Sequence, residues 1–208
     1  MGNLVSYNRI SINKKINESL KQSRYEKFAY NAANFRFQIA RTESLKSFDE
    51  DLITKELKEG PTADNSVLGY GNLVSYIGLP NSKNEVAFVR DYLYNNFRLD
   101  NKANFIQNKS KVYYSFKVES PSLQEIYDNF PAPDKSYSQS WISIIEDGYG
   151  RFAYYVYRLA GFPESANSRT GTGLQRKTIR SWIDVPSKSP QFKWVSKTIE
   201  KFLDYFKK

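Results

Sequence analysis

The chain contains no cysteine and no histidine. The first absence removes disulfides, thiolate nucleophiles and cysteine-ligated zinc. The second removes the most frequent general base and metal ligand, and with them any Ser–His–Asp triad. An enzyme built from these residues would have to work through carboxylates, lysine, tyrosine or serine. No acids are spaced so as to converge on one point. No run approaches the ~20 consecutive apolar residues of a membrane-spanning helix. The N-terminus, Met1-Gly2-Asn3-Leu4-Val5-Ser6-Tyr7, lacks the basic and apolar regions of a secretory signal. These absences lead us to expect a protein made and folded in a cytosol, with no catalytic residue, no cofactor, no metal and no membrane partner.

What is present is bulky and basic. Sixteen tyrosines, fourteen phenylalanines and three tryptophans bring the aromatic share to 16%, enough to build a core and leave rings over for an interface. The length of 208 residues fits one large domain, or at most two small ones. Between Arg169 and Lys208, ten basic residues face three acidic ones, a local excess of +7 out of the whole chain's +9. Such an excess suits a nucleic acid, an acidic protein surface or an anionic lipid.

Hydrophobic spacing predicts a long helix from Ser11 to Lys46, with Ile12, Ile16, Leu20, Phe28, Ala32, Phe35 and Ile39 mostly at three- and four-residue intervals. Within it, Asn31-Ala32-Ala33-Asn34 are small enough to let another backbone approach closely. A second helix is expected over Asp49–Leu57, stopped by Gly60-Pro61. The glycine turn around Gly69-Tyr70-Gly71 is expected to feed a strand from Leu73 to Leu79, and a helix to follow from Glu85 to Phe97. Phe105-Ile106 and the alternating Val112–Val118 read as a hairpin turning at Asn108-Lys109-Ser110. A short helix over Ser122–Phe130, an apolar segment Trp141–Glu146, a strand Gln175–Val185 and a terminal helix Gln191–Phe206 complete the pattern. The class is α+β, with the long N-terminal helix and the C-terminal helix packed on a small, mostly antiparallel sheet.

Several motifs invite chemistry. Gly69-Tyr70-Gly71 lacks both the dinucleotide fingerprint and a Walker lysine, and reads as a turn. Asp49-Glu50-Asp51 offers either a cation site or acids at a helix start, where they complement its dipole; the second needs no further ligand. Glu146-Asp147 would be a carboxylate pair, but neighbours in sequence diverge and Asp147-Gly148 is a turn signal. Arg169-Thr170-Gly171-Thr172-Gly173-Leu174-Gln175-Arg176-Lys177 combines a flexible loop with three cations, so these and the following Arg180 (Arg169, Arg176, Lys177 and Arg180) are candidate contacts to nucleic acid or an acidic partner; the alternative is a solvated surface hairpin. Tyr154, Tyr155 and Tyr157 form an aromatic cluster that fits either a protein interface or the core, and Phe192 and Trp194 on the terminal helix are interface candidates beside them.

Three of these stretches together, Trp141-Ile142-Ser143-Ile144-Ile145-Glu146-Asp147-Gly148, the Ser168–Lys177 loop and Pro190-Gln191-Phe192-Lys193-Trp194, resemble the tail-completion or head–tail joining proteins of tailed phages, the minor-tail-protein-Z-like group. Members combine an N-terminal helix, a segment ending in an acid and glycine, an Arg-Thr-Gly or Arg-Ser-Gly loop leading into a basic strand, and a final amphipathic helix. The stretch Leu52–Gly78 is similar to such neck-region proteins as well, whereas residues 81–138 have no counterpart and read as an insertion in the single domain 1–208. The resemblance covers about half the chain. It implies a non-enzymatic structural protein of the virion, synthesised in the host cytoplasm and assembled as a ring at the head–tail junction. Its partners would be other copies of itself and neighbouring connector and tail proteins, with DNA in the lumen. The alternative, from charge alone, is a nucleic-acid-binding protein that uses the basic C-terminal region.

Overall fold

The computed structural model describes residues 19, 23–60, 63, 73–77, 79, 82–108, 111–132, 139–147, 155–157, 173–175 and 192–207. In chain order the elements are α1 (Ser23–Glu50), α2 (Leu52–Glu59), α3 (Leu73–Ile77), α4 (Ser82–Asn96), β1 (Arg98–Asn108), β2 (Lys111–Glu119), α5 (Leu123–Asn129), α6 (Trp141–Glu146), β3 (Tyr155–Tyr157), β4 (Gly173–Gln175) and α7 (Val195–Asp204). Helices mixed with antiparallel strand pairs make this an α+β protein, with a long helix early and a helix at the end. No described helix is long and apolar enough to cross a membrane.

The chain divides into two compact units, residues 1–40 with 97–119 and residues 41–96 with 120–208. Residues 97–119 fall inside the segment expected as an insertion. In the first unit β1 and β2 pair antiparallel, closing at Asn108↔Lys111, with a register shift between Leu99 and Ala103. The expected alternation is there: Tyr114, Phe116 and Val118 are half-buried while Tyr113, Ser115 and Lys117 are exposed. Tyr114 meets Phe105 directly across the ladder at 5.8 Å, and Tyr30 of α1 meets Phe116 edge-on at 5.7 Å. β1 starts seven residues earlier than its apolar part, because its first half is polar. There the Asp100 carboxylate accepts from the Lys102 N–H (2.9 Å) and Glu26 of α1 accepts from the Ala103 N–H (3.4 Å), across the register shift.

The second unit is mainly helical. Its core holds Phe48, Leu57, Leu73, Val86, Val89, Leu93, Ile126, Trp141, Ile142, Ile145, Trp194, Val195 and Phe202, each no more than 2% exposed. α1 runs past its expected end at Lys46 and stops at Glu50, because Asp51 turns its carboxylate to the Ile53 N–H (3.0 Å) and becomes the N-cap of α2. α2 ends where Gly60 adopts φ +87°, a conformation a Cβ would strain. α5 starts with a reciprocal capping box: the Glu125 N–H donates to Ser122 Oγ (3.2 Å) and the Ser122 N–H donates to Glu125 Oε2 (2.7 Å).

Leu73–Ile77 corrects the expected strand: it is helical. Four or five apolar residues satisfy both periods, and what decides here comes from elsewhere in the chain. The Glu56 carboxylate, fully buried on α2, accepts the Leu73 N–H at 2.8 Å and fixes the first turn. Leu73, Val74 and Ile77 then face the core together. Of the expected strand Gln175–Val185, only Gln175 is described, as the last residue of β4 opposite Tyr155. The terminal helix is shorter than expected and begins at Val195.

Candidate functional site

Four acids among the described residues, Asp49, Asp51, Glu56 and Glu146, tie one element to another. Glu146 ends α6 and is 9% exposed. Its Oε1 accepts the N–H groups of Trp194 (3.0 Å), Val195 (2.6 Å) and Ser196 (3.0 Å), and its Oε2 accepts the Ser196 hydroxyl (2.6 Å). A carboxylate from nearly fifty residues away thus does for α7 what an N-cap residue usually does from the adjacent position, since Trp194 in the N-cap place has no side-chain oxygen. The negative charge also meets the positive end of the α7 dipole. Asp147, beside it, is exposed and closes α6 through its own N–H to the Ser143 carbonyl (2.8 Å). The Tyr127 hydroxyl lies near both. It is buried without a partner at hydrogen-bond geometry, and its pKa is pushed well up, first by burial and then by the charges of Asp147 and Glu146. That environment favours a neutral phenol and gives no base.

The acidic run resolves in the same direction. Asp51 caps α2 and also accepts Lys197 of α7 at 3.1 Å. Asp49 binds Lys58 (2.9 Å) and Arg90 (2.8 Å); desolvation raises its pKa, but the two cations outweigh that and hold it below the ordinary 3.8. Among the described residues no three His, Cys, Asp or Glu side chains gather as a metal site would require. An open groove of about 470 Å³ separates the start of α5 from α7, lined by Pro121, Leu123, Glu125, Ser196, Ile199 and Glu200. Glu125 is committed to the capping box, so the groove offers mainly apolar wall.

Arg169, Arg176, Lys177, Arg180 and Tyr154 lie outside the described residues. Tyr155 and Tyr157 sit on β3, opposite Gln175 and Gly173 of β4. Phe192 is half-buried, its N–H donated to the Ile145 carbonyl at 3.0 Å. Trp194, expected at an interface, is 1% exposed. It stacks on Phe48 (5.2 Å), tilts against Trp141 (5.8 Å) and donates its indole N–H to Thr54 Oγ1 at 2.8 Å. Of the terminal cations, Lys193, Lys197 and Lys207 reach Glu200, Asp51 and Asp204 at 3.2, 3.1 and 2.8 Å.

Leu52 and Phe88 are exposed singly on α2 and α4, whereas on α1 four large apolar side chains are exposed along one face. Phe28 and Phe35 are 62% and 68% exposed, and Tyr25 and Ile39 are 40% and 41% exposed. The side of α1 that packs carries Tyr30 and Phe37, followed by Ala40, Ser44, Leu45 and Phe48. The spacing that foretold a helix therefore picked out a stripe that faces solvent. Its signal was in the sequence: Tyr25, Phe28, Ala32, Phe35 and Ile39 follow a 3-4-3-4 interval. Comparison of the chain with protein-family models, curated proteins and solved structures finds no match.

Proposed function

We propose that this chain is a structural protein that works by binding other protein subunits, and specifically a component of the head–tail junction of a tailed phage, present there as a ring of copies. The observation that carries the subunit-binding part is the outward aromatic stripe of α1. Two phenylalanines more than 60% exposed on one helix face are surface that a partner normally covers. The disposition of the acids supports it further. Glu146, Glu56, Asp49 and Asp51 are each engaged in holding one element to another, which is the chemistry of a scaffold. The junction part comes from the resemblance of Trp141–Gly148, Ser168–Lys177 and Pro190–Trp194 to tail-completion proteins. The competing reading, nucleic-acid binding through the basic C-terminal region, draws less support, since three of its lysines lie at ion-pair distance from acids of the same chain.

A nonsense mutation in the gene of the encoding phage tests the proposal. Filled heads accumulating beside unattached tails are expected in the non-permissive host. Infectious particles of normal form would rule the junction role out.

A further inference from the structure

We propose that α1 carries a pairing surface for a second copy of this chain, two α1 helices lying antiparallel with their Tyr25–Ile39 stripes face to face. This rests on the reading that the chain binds protein subunits, and names the partner and the contact.

The stripe has the geometry of a helix-pairing seam. Its 3-4-3-4 interval averages 3.5 residues, the repeat that keeps one face of a helix turned towards a neighbour as the two wind together. Tyr25, Ala32 and Ile39 take one set of core positions, and Phe28 and Phe35 the other. All five lie in the first compact unit, on a helix described without interruption from Ser23 to Glu50.

Four of them have large side chains at 40%, 62%, 68% and 41% exposure, so the face is open to solvent. At about 200 Å² per ring, the three aromatics leave roughly 340 Å² of side chain uncovered. A standard interface takes ~800 Å² from each partner. The flanking Arg24, Ala29, Asn31 and Arg36 lie on either side of the rings and supply a rim.

Two features select a second copy. First, the five seam positions carry no charge, so facing the stripe with itself buries no like pair at the centre. Second, the stripe is self-complementary in size. In an antiparallel pair one set of core positions faces the other. Ala32 of each copy then receives Phe35 of the other, and Phe28 meets Ile39. The small residue between two rings becomes the socket for the partner's ring, and the short Asn31–Asn34 stretch lets the helices come close. A parallel pair would set Ala32 on Ala32 and leave a gap between two aromatic layers. Stripe-to-stripe contact is isologous and closes at two copies, so a ring would use another surface for its head-to-tail contact.

The test uses the purified full-length chain in sedimentation equilibrium over a range of micromolar concentrations. A reversible dimer is expected, and Phe28→Glu with Phe35→Glu should weaken it by at least about 100-fold, the loss typical of paired hot-spot aromatics. Both rings are exposed, so circular dichroism of the double variant should match the parent. Because the chain has no cysteine, Ala32→Cys and Phe35→Cys report the orientation. When the two variants are mixed and oxidised, a disulfide should join one to the other. A chain monomeric at every concentration, a dimer indifferent to the glutamates, or ready self-cross-linking of Ala32→Cys alone would each overturn the proposal. A monomer accompanied by the head-and-tail phenotype would sink this pairing and leave the junction role standing; a dimer without that phenotype would do the reverse.

Discussion

Removing the Glu146 carboxylate should release the C-terminal helix from the core of its unit. In Glu146→Ala, the N–H groups of Trp194 and Val195 lose their shared acceptor at positions 1% and 0% exposed, where water cannot replace it. Each buried unpaired donor costs about 1–3 kcal/mol. The Ser196 N–H and hydroxyl are only half-buried and recover water, so they add less. Together we expect a loss of about 3–5 kcal/mol, a large share of the ~5–15 kcal/mol that holds an ordinary domain. At about 2–4 °C per kcal/mol for a chain of this length, Tm should fall by roughly 10 °C. Glu146→Gln keeps the shape and one acceptor oxygen but forfeits the charge at the helix N-terminus, and should cost about 1 kcal/mol. Ser196→Ala, which removes only the hydroxyl bond, should cost about 1 kcal/mol as well. Urea unfolding followed by tryptophan emission is the assay, since Trp141 and Trp194 are buried in this core. If Glu146→Ala lay within about 1 kcal/mol of the parent, or if the glutamine variant lost as much as the alanine one, the cap would not be the anchor argued for.

Other perturbations separate the remaining contacts. Thr54→Val keeps the shape but strips the acceptor from the Trp194 indole N–H, leaving a buried donor unpaired; about 1–3 kcal/mol should disappear from the same urea transition. Asp49 is held below its ordinary pKa by Lys58 and Arg90 against the opposing effect of burial, so its contribution is present above pH 3.8 and is lost as the pH falls through its lowered value. Because the three groups are about a third exposed, Asp49→Asn should cost no more than about 1 kcal/mol at neutral pH, with the gap to the parent closing below pH 3.8 in acid titrations of stability. Gly60→Ala meets no atom within 4 Å, so its penalty is purely that of a Cβ at φ +87° and ψ −161°, a region essentially reserved for glycine; calorimetry should show a loss of about 1–3 kcal/mol, with asparagine tolerated no better than alanine.

The hairpin was legible because its cause is local. Tyr114, Phe116 and Val118 alternate with exposed residues over a half-buried strand, so period and environment agree. Ser122 and Glu125 likewise announce α5 within four residues. The failures come where the deciding partner is distant. Leu73–Leu79 fits a strand or a helix equally, and the choice falls to Glu56, seventeen residues earlier. Glu146 beside Asp147 reads as a turn, and nothing nearby announces that it will cap a helix beginning at Val195. Trp194 looks like an interface ring until Thr54 and Phe48, far back in the chain, are brought to it by the fold. On α1 the difficulty is different: two apolar sets at helical spacing compete for the core. In the first unit Phe37 and Ala40 are buried, which leaves Phe28, Phe35 and Ile39 facing out. The arginines and Lys177 of the 169–180 segment lie outside the described residues, so that part of the expected surface rests on sequence alone.

Cryo-electron microscopy of the encoding phage's virions, with the neck reconstructed to side-chain resolution, addresses the central claim most directly. Several copies of this chain should form a ring between head and tail, with the α1 stripe covered by a protein neighbour. A neck fully accounted for by other chains, with this one missing from the particle, would contradict the account.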